Sequence, residues 1–156
     1  MAGNVKPVPE GYQSVTPYLL INGAAKAIDF YKSVFGATEL MRFDAPGGKI
    51  GHAELMIGDS RLMLADEYPE MGFKGPQSYG GSGVLIHLYV TAVDAVVAKA
   101  TAAGARIVKP VQDQFYGDRT GTFEDPFGHL WSIATHIEDV SMEEMKRRVA
   151  AMAGGH

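Results

Sequence analysis

Alternation of apolar and polar residues after Ser14 predicts a first β-strand, with Leu19 and Ile21 on its covered face. Apolar residues then recur at helical spacing, which predicts a helix that Asn22 caps and Gly36 ends. Three strands follow, and a two-residue turn separates the last two, as in a tight β-hairpin. These strands are residues 38–43, 50–57 and 60–65, with the turn at Gly58 and Asp59.

The same order of elements returns about 69 residues later in the chain. Ile21 and Val90 are 69 residues apart, and the glycines that end the two predicted helices are 68 apart. Thr91 takes the N-cap place of Asn22, and Gly104 takes the place of Gly36. Repetition at a near-constant offset predicts two β-α-β-β-β modules. The strands of the second module are residues 84–90, 105–111, 116–124 and 129–135.

Three segments lie outside the predicted modules. Residues 1–13 are rich in Pro, Gly and polar residues and are predicted to form an N-terminal arm. Residues 67–83 mix Pro, Gly and aromatic residues without a period, which is typical of a long connector. Ser141 begins a capping box, which predicts a C-terminal helix and tail over residues 141–156. The predicted domain is 14–140, with modules at about 14–66 and 84–136.

Alternation within the predicted strands separates an apolar face from a polar one. The turn at Gly58 pairs Ile57 with Ser60 and Glu54 with Met63, so the members of each pair share a face. The apolar face is expected to lie beneath the helix, and the opposite faces of both modules to form a shared concave cavity. We expect the function in that cavity. The opposite faces collect Thr16, Tyr18, His52, Glu54, Arg61, Met63, Leu85, His87, Tyr89 and Ser132.

Composition excludes several functional classes. The chain has no cysteine, which excludes disulfides, thiolate nucleophiles and cysteine-ligated metal centres. Its net charge of −4, without a basic block, argues against nucleic-acid binding. No apolar stretch approaches the roughly 18 residues of a membrane-spanning helix, and the N-terminal segment lacks the apolar core of a signal peptide. We therefore expect a cytoplasmic protein with no membrane partner and no nucleic-acid partner.

Several short strings in both modules carry a family resemblance. They are Thr16-Pro17-Tyr18-Leu19, Ala27-Ile28-Asp29-Phe30-Tyr31, Phe35-Gly36-Ala37 and Gly51-His52-Ala53-Glu54-Leu55 in the first module, and Asp113-Gln114-Phe115-Tyr116-Gly117-Asp118-Arg119, Asp125-Pro126-Phe127-Gly128-His129 and Thr135-His136-Ile137-Glu138-Asp139-Val140 in the second. Together they resemble the vicinal oxygen chelate superfamily, which includes glyoxalase I, extradiol dioxygenases and bleomycin-resistance proteins, and within it the PhnB-like glyoxalase/bleomycin-resistance subgroup. The resemblance covers about residues 14–140. It implies an α+β fold in which two βαβββ modules form a concave, partly open barrel, and it implies a homodimer.

The resemblance also implies where a divalent metal would bind. Members of the superfamily hold the ion with His or Glu on the first and last strands of each module, because imidazole and carboxylate are good ligands. The local strings place these positions at Thr16, Met63, Leu85 and Ser132, with Leu64 as an alternative to Met63. None is a histidine or a carboxylate. We therefore predict no cofactor, and a protein that binds a small molecule in a cavity between its modules.

His52, Glu54 and His87 leave a second interpretation open. His52 and Glu54 lie two residues apart on one strand face, and His87 lies two residues beyond Leu85. They could hold a displaced divalent metal, or Glu54 could orient a histidine for acid/base catalysis. Either arrangement would make the chain a lyase, an isomerase or a dioxygenase. They could also be hydrogen-bonded polar groups of a pocket wall, so the enzymatic status stays open.

Three tyrosines complete the candidate binding residues. Tyr18, Tyr89 and Tyr116 could stack on a ligand, although tyrosines at strand positions also serve as packing residues. The predicted ligand-binding residues are Thr16, Tyr18, Arg61, Met63, Leu85, Tyr89, Tyr116 and Ser132.

The positions of the other arginine and histidine candidates favour different roles, in ligand binding, surface ion pairing or structure. Arg61 could bind an anionic ligand, since a guanidinium suits carboxylate and phosphate. Arg119 lies beside Asp118, which favours a surface ion pair. His129 follows a turn and is expected to be structural, whereas His136 is a lesser site candidate near a strand end.

Overall fold

The computed structural model describes residues 3–155. Met1 and Ala2 of the predicted arm and His156 of the predicted tail lie outside the described residues. The described chain divides into two compact units, residues 3–80 and residues 81–155. Its elements are β1 (Tyr18–Ile21), α1 (Ala24–Phe35), β2 (Thr38–Ala45), β3 (Lys49–Ile57), β4 (Ser60–Asp66), α2 (Pro76–Tyr79), β5 (Leu85–Tyr89), α3 (Val93–Ala102), β6 (Arg106–Asp113), β7 (Asp118–Glu124), β8 (Leu130–His136) and α4 (Met142–Ala153), with short 3₁₀ turns at Pro46–Gly48 and Pro69–Met71.

The first unit is a four-stranded mixed sheet in the order β1-β4-β3-β2, and α1 packs on it. β1 runs parallel to β4, and the other neighbouring strands are antiparallel. The predicted hairpin is confirmed, because Ile57 lies opposite Ser60 and Glu54 lies opposite Met63. Apolar residues of α1 and of the sheet form a core whose fully buried side chains include those of Tyr31, Leu55 and Leu64.

The second unit repeats this arrangement in the order β5-β8-β7-β6. β5 runs parallel to β8, the other neighbours are antiparallel, and α3 packs on strands β6, β7 and β8. Phe123, Trp131 and Ile133 are fully buried in its core. The α+β class and the two βαβββ modules predicted from the 69-residue repeat are therefore confirmed.

The N-terminus of α1 is capped by the last strand of its own module. The prediction that Asn22 is the N-cap is wrong, because the helix begins one residue later, after Gly23. The Asp66 carboxylate, at the end of β4, accepts hydrogen bonds from the N–H groups of Gly23 and Ala24 at 3.0 and 3.1 Å. Its second oxygen accepts from the N–H group of Ile50 at 2.6 Å. Parallel pairing of β1 with β4 brings this carboxylate to the start of the helix, so local spacing cannot reveal the cap.

The second module uses the equivalent position for the same purpose. Thr91 does not cap α3, since the N-cap residue is Ala92 and the Thr135 hydroxyl accepts the hydrogen bond from the Val93 N–H group at 2.9 Å. Asp66 and Thr135 are 69 residues apart, which is the offset of the whole repeat. In both modules, a residue at the end of the last strand accepts the hydrogen bond from the first N–H group of the helix. Both N-cap predictions were wrong because the capping residue is distant in sequence.

The connector over residues 67–83 is folded, although its sequence has no period. The 3₁₀ turn Pro69–Met71 and the helix α2 each begin with proline, which suits the first position of a helical turn. Tyr68 and Phe73, on either side of the 3₁₀ turn, form an isolated antiparallel bridge. Single turns of this kind are too short to produce a hydrophobic period, so the sequence predicts only a connector.

The predicted C-terminal helix is present as α4. The Ser141 hydroxyl accepts a hydrogen bond from the Glu144 N–H group at 3.1 Å, which confirms the predicted N-cap. No residue of α4 is buried, and Arg148 ties the helix to the carbonyl of Phe115 at 2.8 Å and to the carboxylate of Glu138. Within residues 3–155, no helix is long and apolar enough to cross a membrane.

Candidate functional site

Three side chains on the face of the first sheet opposite α1 form a hydrogen-bonded chain. The Tyr18 hydroxyl lies 2.8 Å from His52 Nδ1, and His52 Nε2 lies 3.0 Å from Glu54 Oε2. Strand pairing places Tyr18 and Glu54 on either side of Met63. His52 and Glu54 share this face because residues two apart in a strand point the same way. The structure thus brings the two predicted partners together and adds Tyr18 to them.

Glu54 is a nearly fully buried carboxylate, with 4% of the residue exposed. The Tyr12 hydroxyl donates to Glu54 Oε1, and the Arg61 guanidinium lies 3.6 Å from the same oxygen. Burial opposes ionisation, but hydrogen bonds from Tyr12 and His52 and the attraction of His52 and Arg61 outweigh it. These contacts hold the pKa of the Glu54 carboxyl below its ordinary value, so the group is ionised at neutral pH.

The ionised Glu54 sets the direction of the hydrogen-bonded chain. A carboxylate only accepts, so His52 Nε2 donates to it, and when the imidazole is neutral its Nδ1 accepts from the Tyr18 hydroxyl. Burial, and then the negative charge of Glu54, raises the pKa of Tyr18, which keeps the phenol protonated at neutral pH. The Tyr18 oxygen keeps lone pairs for a ligand donor, and the series of carboxylate, imidazole and hydroxyl can relay a proton.

A cavity of about 530 Å³ adjoins Tyr18 within the first unit. The sheet supplies one part of its wall and the folded connector supplies another, and most of the lining is apolar. Cavities of roughly 300–1,000 Å³ with a few polar groups are the usual size of small-molecule sites. The predicted cavity between the modules stays a prediction. The lining residues are Tyr18, Leu20, Gly51, Ala65, Asp66, Tyr68, Met71 and Phe73.

The second unit carries a different polar network, centred on the buried carboxylate of Asp118. The Tyr89 hydroxyl donates to Asp118 Oδ2 at 2.7 Å, and His136 Nδ1 lies 2.7 Å from Oδ1. The other ring nitrogen of His136 lies 2.7 Å from Asp139. Burial opposes ionisation of Asp118, but the hydrogen bonds of Tyr89 and His136 hold its pKa low. Hydrogen bonds to Asp118 and Asp139 raise the pKa of His136.

His87 makes a separate contact in the second unit. Its Nδ1 lies 2.9 Å from the Ser132 hydroxyl, and its ring meets the Tyr89 ring edge-on, with centroids 4.9 Å apart. Across residues 3–155, no group of three or more His, Asp or Glu side chains is placed to hold a metal ion.

The positions that the resemblance assigns to metal ligands differ widely in exposure. Thr16 and Met63 are half-buried, Leu85 is exposed, and Ser132 is buried. The chemistry of a hydroxyl, a thioether and an aliphatic side chain does not fit a divalent cation that prefers imidazole and carboxylate. Their role in binding a ligand stays a prediction.

Arg119 forms a surface ion pair, as predicted, but with partners other than Asp118. Its guanidinium donates to both carboxylate oxygens of Asp94, at 2.9 and 3.0 Å, and to Asp113 at 2.9 Å. Pairing with Asp118 was the wrong expectation, because neighbouring residues of a strand point to opposite faces. Arg119 is therefore held at the surface.

Tyr116 and His129 make other contacts in the second unit. Tyr116 is half-buried, and its ring meets Phe115 edge-on, with centroids 5.2 Å apart. His129 is buried, and its backbone N–H group donates to Asp125 Oδ1 at 3.0 Å, which agrees with the expected structural role.

Tyr12 is a site residue that the sequence analysis does not identify. It lies in the N-terminal arm, where no period marks one side chain as inward-facing. The sequence analysis also does not identify Asp118 as the centre of a polar network, because its partners Tyr89 and His136 lie 29 and 18 residues away. No local signal could have found either contact.

Comparison with known sequences identifies a family for most of the chain. The sequence model of the Glyoxalase/Bleomycin resistance protein/Dioxygenase superfamily matches residues 14–133. The chain is also similar to the uncharacterized protein Rv0887c of Mycobacterium tuberculosis. The two are 43% identical over 158 residues, which cover 99% of this chain and 89% of the relative.

Solved structures share the fold. TioX from Micromonospora sp. ML1 is 29% identical, with a TM-score of 0.61 over 83% of this chain and 100% of that chain. The At5g48480 gene product of Arabidopsis thaliana is 32% identical, with a TM-score of 0.65 over 79% of this chain and 98% of that chain. A Bacillus cereus structure described as a putative 3-demethylubiquinone-9 3-methyltransferase, PhnB protein, is 22% identical, with a TM-score of 0.61 over 79% and 99% of the two chains. At that identity the last likeness concerns the fold alone.

Proposed function

We propose that this chain, which belongs to the Glyoxalase/Bleomycin resistance protein/Dioxygenase superfamily, binds a small and mostly apolar molecule in the cavity of its first unit. The observation that carries the proposal is the cavity itself, with a volume of about 530 Å³ and a polar group at its edge. Tyr18 supplies that group, since its hydroxyl lies 2.8 Å from His52 Nδ1 and has a lone pair for a ligand donor. A planar ring that bears one N–H or O–H donor fits this chemistry.

The connector supports the proposal because it supplies part of the cavity wall. Tyr68, Met71 and Phe73 line the cavity, and methionine and aromatic side chains adapt well to flat apolar ligands. Met71 and Phe73 are 70% and 53% exposed. A bound molecule would cover part of this surface.

The finer assignment within the superfamily is part of the same proposal. The strings around Gly51-His52-Ala53-Glu54-Leu55 and Asp125-Pro126-Phe127-Gly128-His129 support a PhnB-like protein. The Bacillus cereus protein described as a PhnB protein shares the fold. The resemblance also supports a homodimer whose subunits each hold one domain over residues 14–140.

Indole is a suitable probe of the cavity, because it is flat, apolar and carries one N–H donor. We expect saturable indole binding in ligand-observed NMR titrations of the full chain. Ala65→Phe, which fills the cavity from the sheet side, is expected to weaken this binding at least tenfold. Ala151→Phe, at an exposed position of α4, is the matched control and is expected to bind as the wild type does.

Circular dichroism of both variants checks that the fold is kept. Equal indole affinity in folded Ala65→Phe and in the wild type would contradict the proposed site. Absence of saturable binding in the wild type would contradict the proposed ligand chemistry.

The hydrogen-bonded chain of Tyr18, His52 and Glu54 supports a second candidate function, metal-independent proton transfer by an isomerase or lyase. A ketone with acidic α-hydrogens, such as 2-tetralone, is expected to exchange these hydrogens with deuterated solvent faster in the presence of the protein. His52→Gln keeps a polar side chain and removes the relay, so it is expected to abolish the acceleration. Exchange at the same rate in both proteins would exclude this candidate and leave the binding proposal untouched.

A further inference from the structure

The N-terminal arm covers the buried carboxylate of the first unit with a tight turn. The Tyr12 N–H group donates to the Pro9 carbonyl at 3.1 Å, and Gly11 adopts a φ of 84°, which glycine tolerates and other residues rarely do. This turn places the Gly11 carbonyl and the Tyr12 side chain side by side. Both are directed at residues of the sheet.

Three different chemical features of the turn are matched by Glu54 and Arg61. The Tyr12 hydroxyl donates to Glu54 Oε1. Arg61 Nε donates to the Gly11 carbonyl at 2.9 Å, and the Arg61 guanidinium lies 4.1 Å from the centroid of the Tyr12 ring. A phenol hydroxyl, an aromatic face and an amide carbonyl are therefore each recognised by a separate contact.

Glu54 and Arg61 belong to strands of the sheet, so their backbones are held by strand pairing. They lie on β3 and β4, and His52 also donates to Glu54. The arm itself buries little, since every residue from 3 to 11 is exposed. A segment with so little burial is held by specific contacts, and these can be exchanged for those of another molecule.

We propose that Glu54 and Arg61 form a recognition site for a small molecule that carries a phenol and an amide carbonyl, and that the turn at Gly11 and Tyr12 occupies this site as an internal competitor. The occupant and a free ligand would use the same three contacts. The site is thus open to a ligand only when the arm is displaced. This proposal does not rest on the cavity next to Tyr18, and either can fail without the other.

N-acetyl-L-tyrosinamide tests the proposal, because its acetyl carbonyl and phenol reproduce the Gly11 carbonyl and the Tyr12 side chain. Binding is measured by protein-observed NMR titration of the full chain. Tyr12→Ala is expected to bind the probe at least tenfold more tightly than the wild type, since the competitor is removed. Tyr12→Phe, which keeps the ring and loses only the hydroxyl, is expected to lie between them.

Two controls separate recognition from loosening of the fold. N-acetyl-L-phenylalaninamide lacks the phenol hydroxyl, and Tyr12→Ala is expected to bind it at least fivefold more weakly than the tyrosine probe. Adding Glu54→Gln to Tyr12→Ala is expected to reduce this preference, because a neutral amide oxygen accepts more weakly than a carboxylate. Tyr79→Ala removes an exposed tyrosine elsewhere in the first unit and is expected to bind like the wild type.

Several results would overturn the proposal. Equal affinity of the wild type and Tyr12→Ala would show that the arm does not compete. Equal binding of the two amides by Tyr12→Ala would show that Glu54 does not recognise the phenol hydroxyl of the probe. Ala65→Phe in the Tyr12→Ala background is expected to bind the probe unchanged, and loss of binding there would assign the probe to the cavity instead.

Discussion

The two units share a strand order and a helix position, yet they differ in how they stabilise polar groups. Glu54 lies opposite Met63 in the first unit, and the pair at the corresponding place in the second unit is Thr122 and Ser132. The second unit instead carries a buried acid at the start of β7, Asp118, and another between β7 and β8, Asp125. The repeated backbone thus tolerates a buried carboxylate at different places, provided that donors from other elements reach it.

The two units also differ in the residue of the last strand that caps the helix. Asp66 accepts three backbone hydrogen bonds, whereas Thr135 accepts one and donates one to the Val90 carbonyl. A charged residue and a neutral one therefore serve the same structural role. Asp66 accepts more backbone hydrogen bonds than Thr135, so loss of its side chain leaves more N–H groups without partners.

The largest loss of stability is expected from the difference between the capping residues Asp66 and Thr135. Asp66→Ala removes the acceptor of three N–H groups, two of them buried, and we expect a loss of about 4 kcal/mol in the free energy of unfolding. Thr135→Val removes one such acceptor and keeps the shape, so we expect about 1 kcal/mol. Urea unfolding followed by circular dichroism measures both. Equal losses would show that the caps are equivalent despite their different numbers of hydrogen bonds.

An intermediate effect is expected from the buried carboxylates of Glu54 and Asp118. Glu54→Ala leaves His52 and Arg61, whose side chains are 26% and 19% exposed, whereas Asp118→Ala leaves His136, whose side chain is 51% exposed. Groups that reach water recover their hydration, so we expect losses of about 2 kcal/mol for Glu54→Ala and about 1 kcal/mol for Asp118→Ala. The same urea titrations measure this difference. The reverse order would mean that exposure of the remaining partners does not decide the cost.

The smallest effect is expected from the pH dependence of the second unit. The pKa of His136 is raised above its ordinary value by hydrogen bonds to Asp118 and Asp139, so its stabilising contribution is complete below about pH 6.5. The contribution is lost as the pH rises through the raised pKa. The difference in melting temperature between the wild type and His136→Gln is therefore expected to shrink between pH 6 and pH 9. A difference that stays constant over this range would contradict a charged His136.

The sequence predicts the parts of this fold that depend on neighbouring residues. Alternation and helical spacing locate the repeated elements, and the turn at Gly58 fixes the register of its hairpin because only two residues separate the strands. The capping box at Ser141 is likewise local. Its partner lies three residues away, within reach of a pattern.

Contacts between distant parts of the chain escape such patterns. Asp66 reaches Ala24 across 42 residues, and Tyr12 reaches Glu54 across the same distance. Both depend on which strands pair and in which register, and hydropathy does not encode this. For the candidate site, the sequence identifies His52 and Glu54 as neighbours on one face, but it does not identify the arm that covers them.

The parallel pairing of first and last strands has a consequence for how each module opens. Tyr18 pairs with Met63 and Leu85 pairs with Leu130, so each pairing closes a loop of 45 residues. Closing such a loop costs chain entropy before any contact offsets it, so the pairing is expected to form late in folding. The helix of each module gains its cap only at that step. The amide protons of Ala24 and Val93 are therefore expected to exchange with solvent only through cooperative opening of the whole module, and not through fraying of the helix ends.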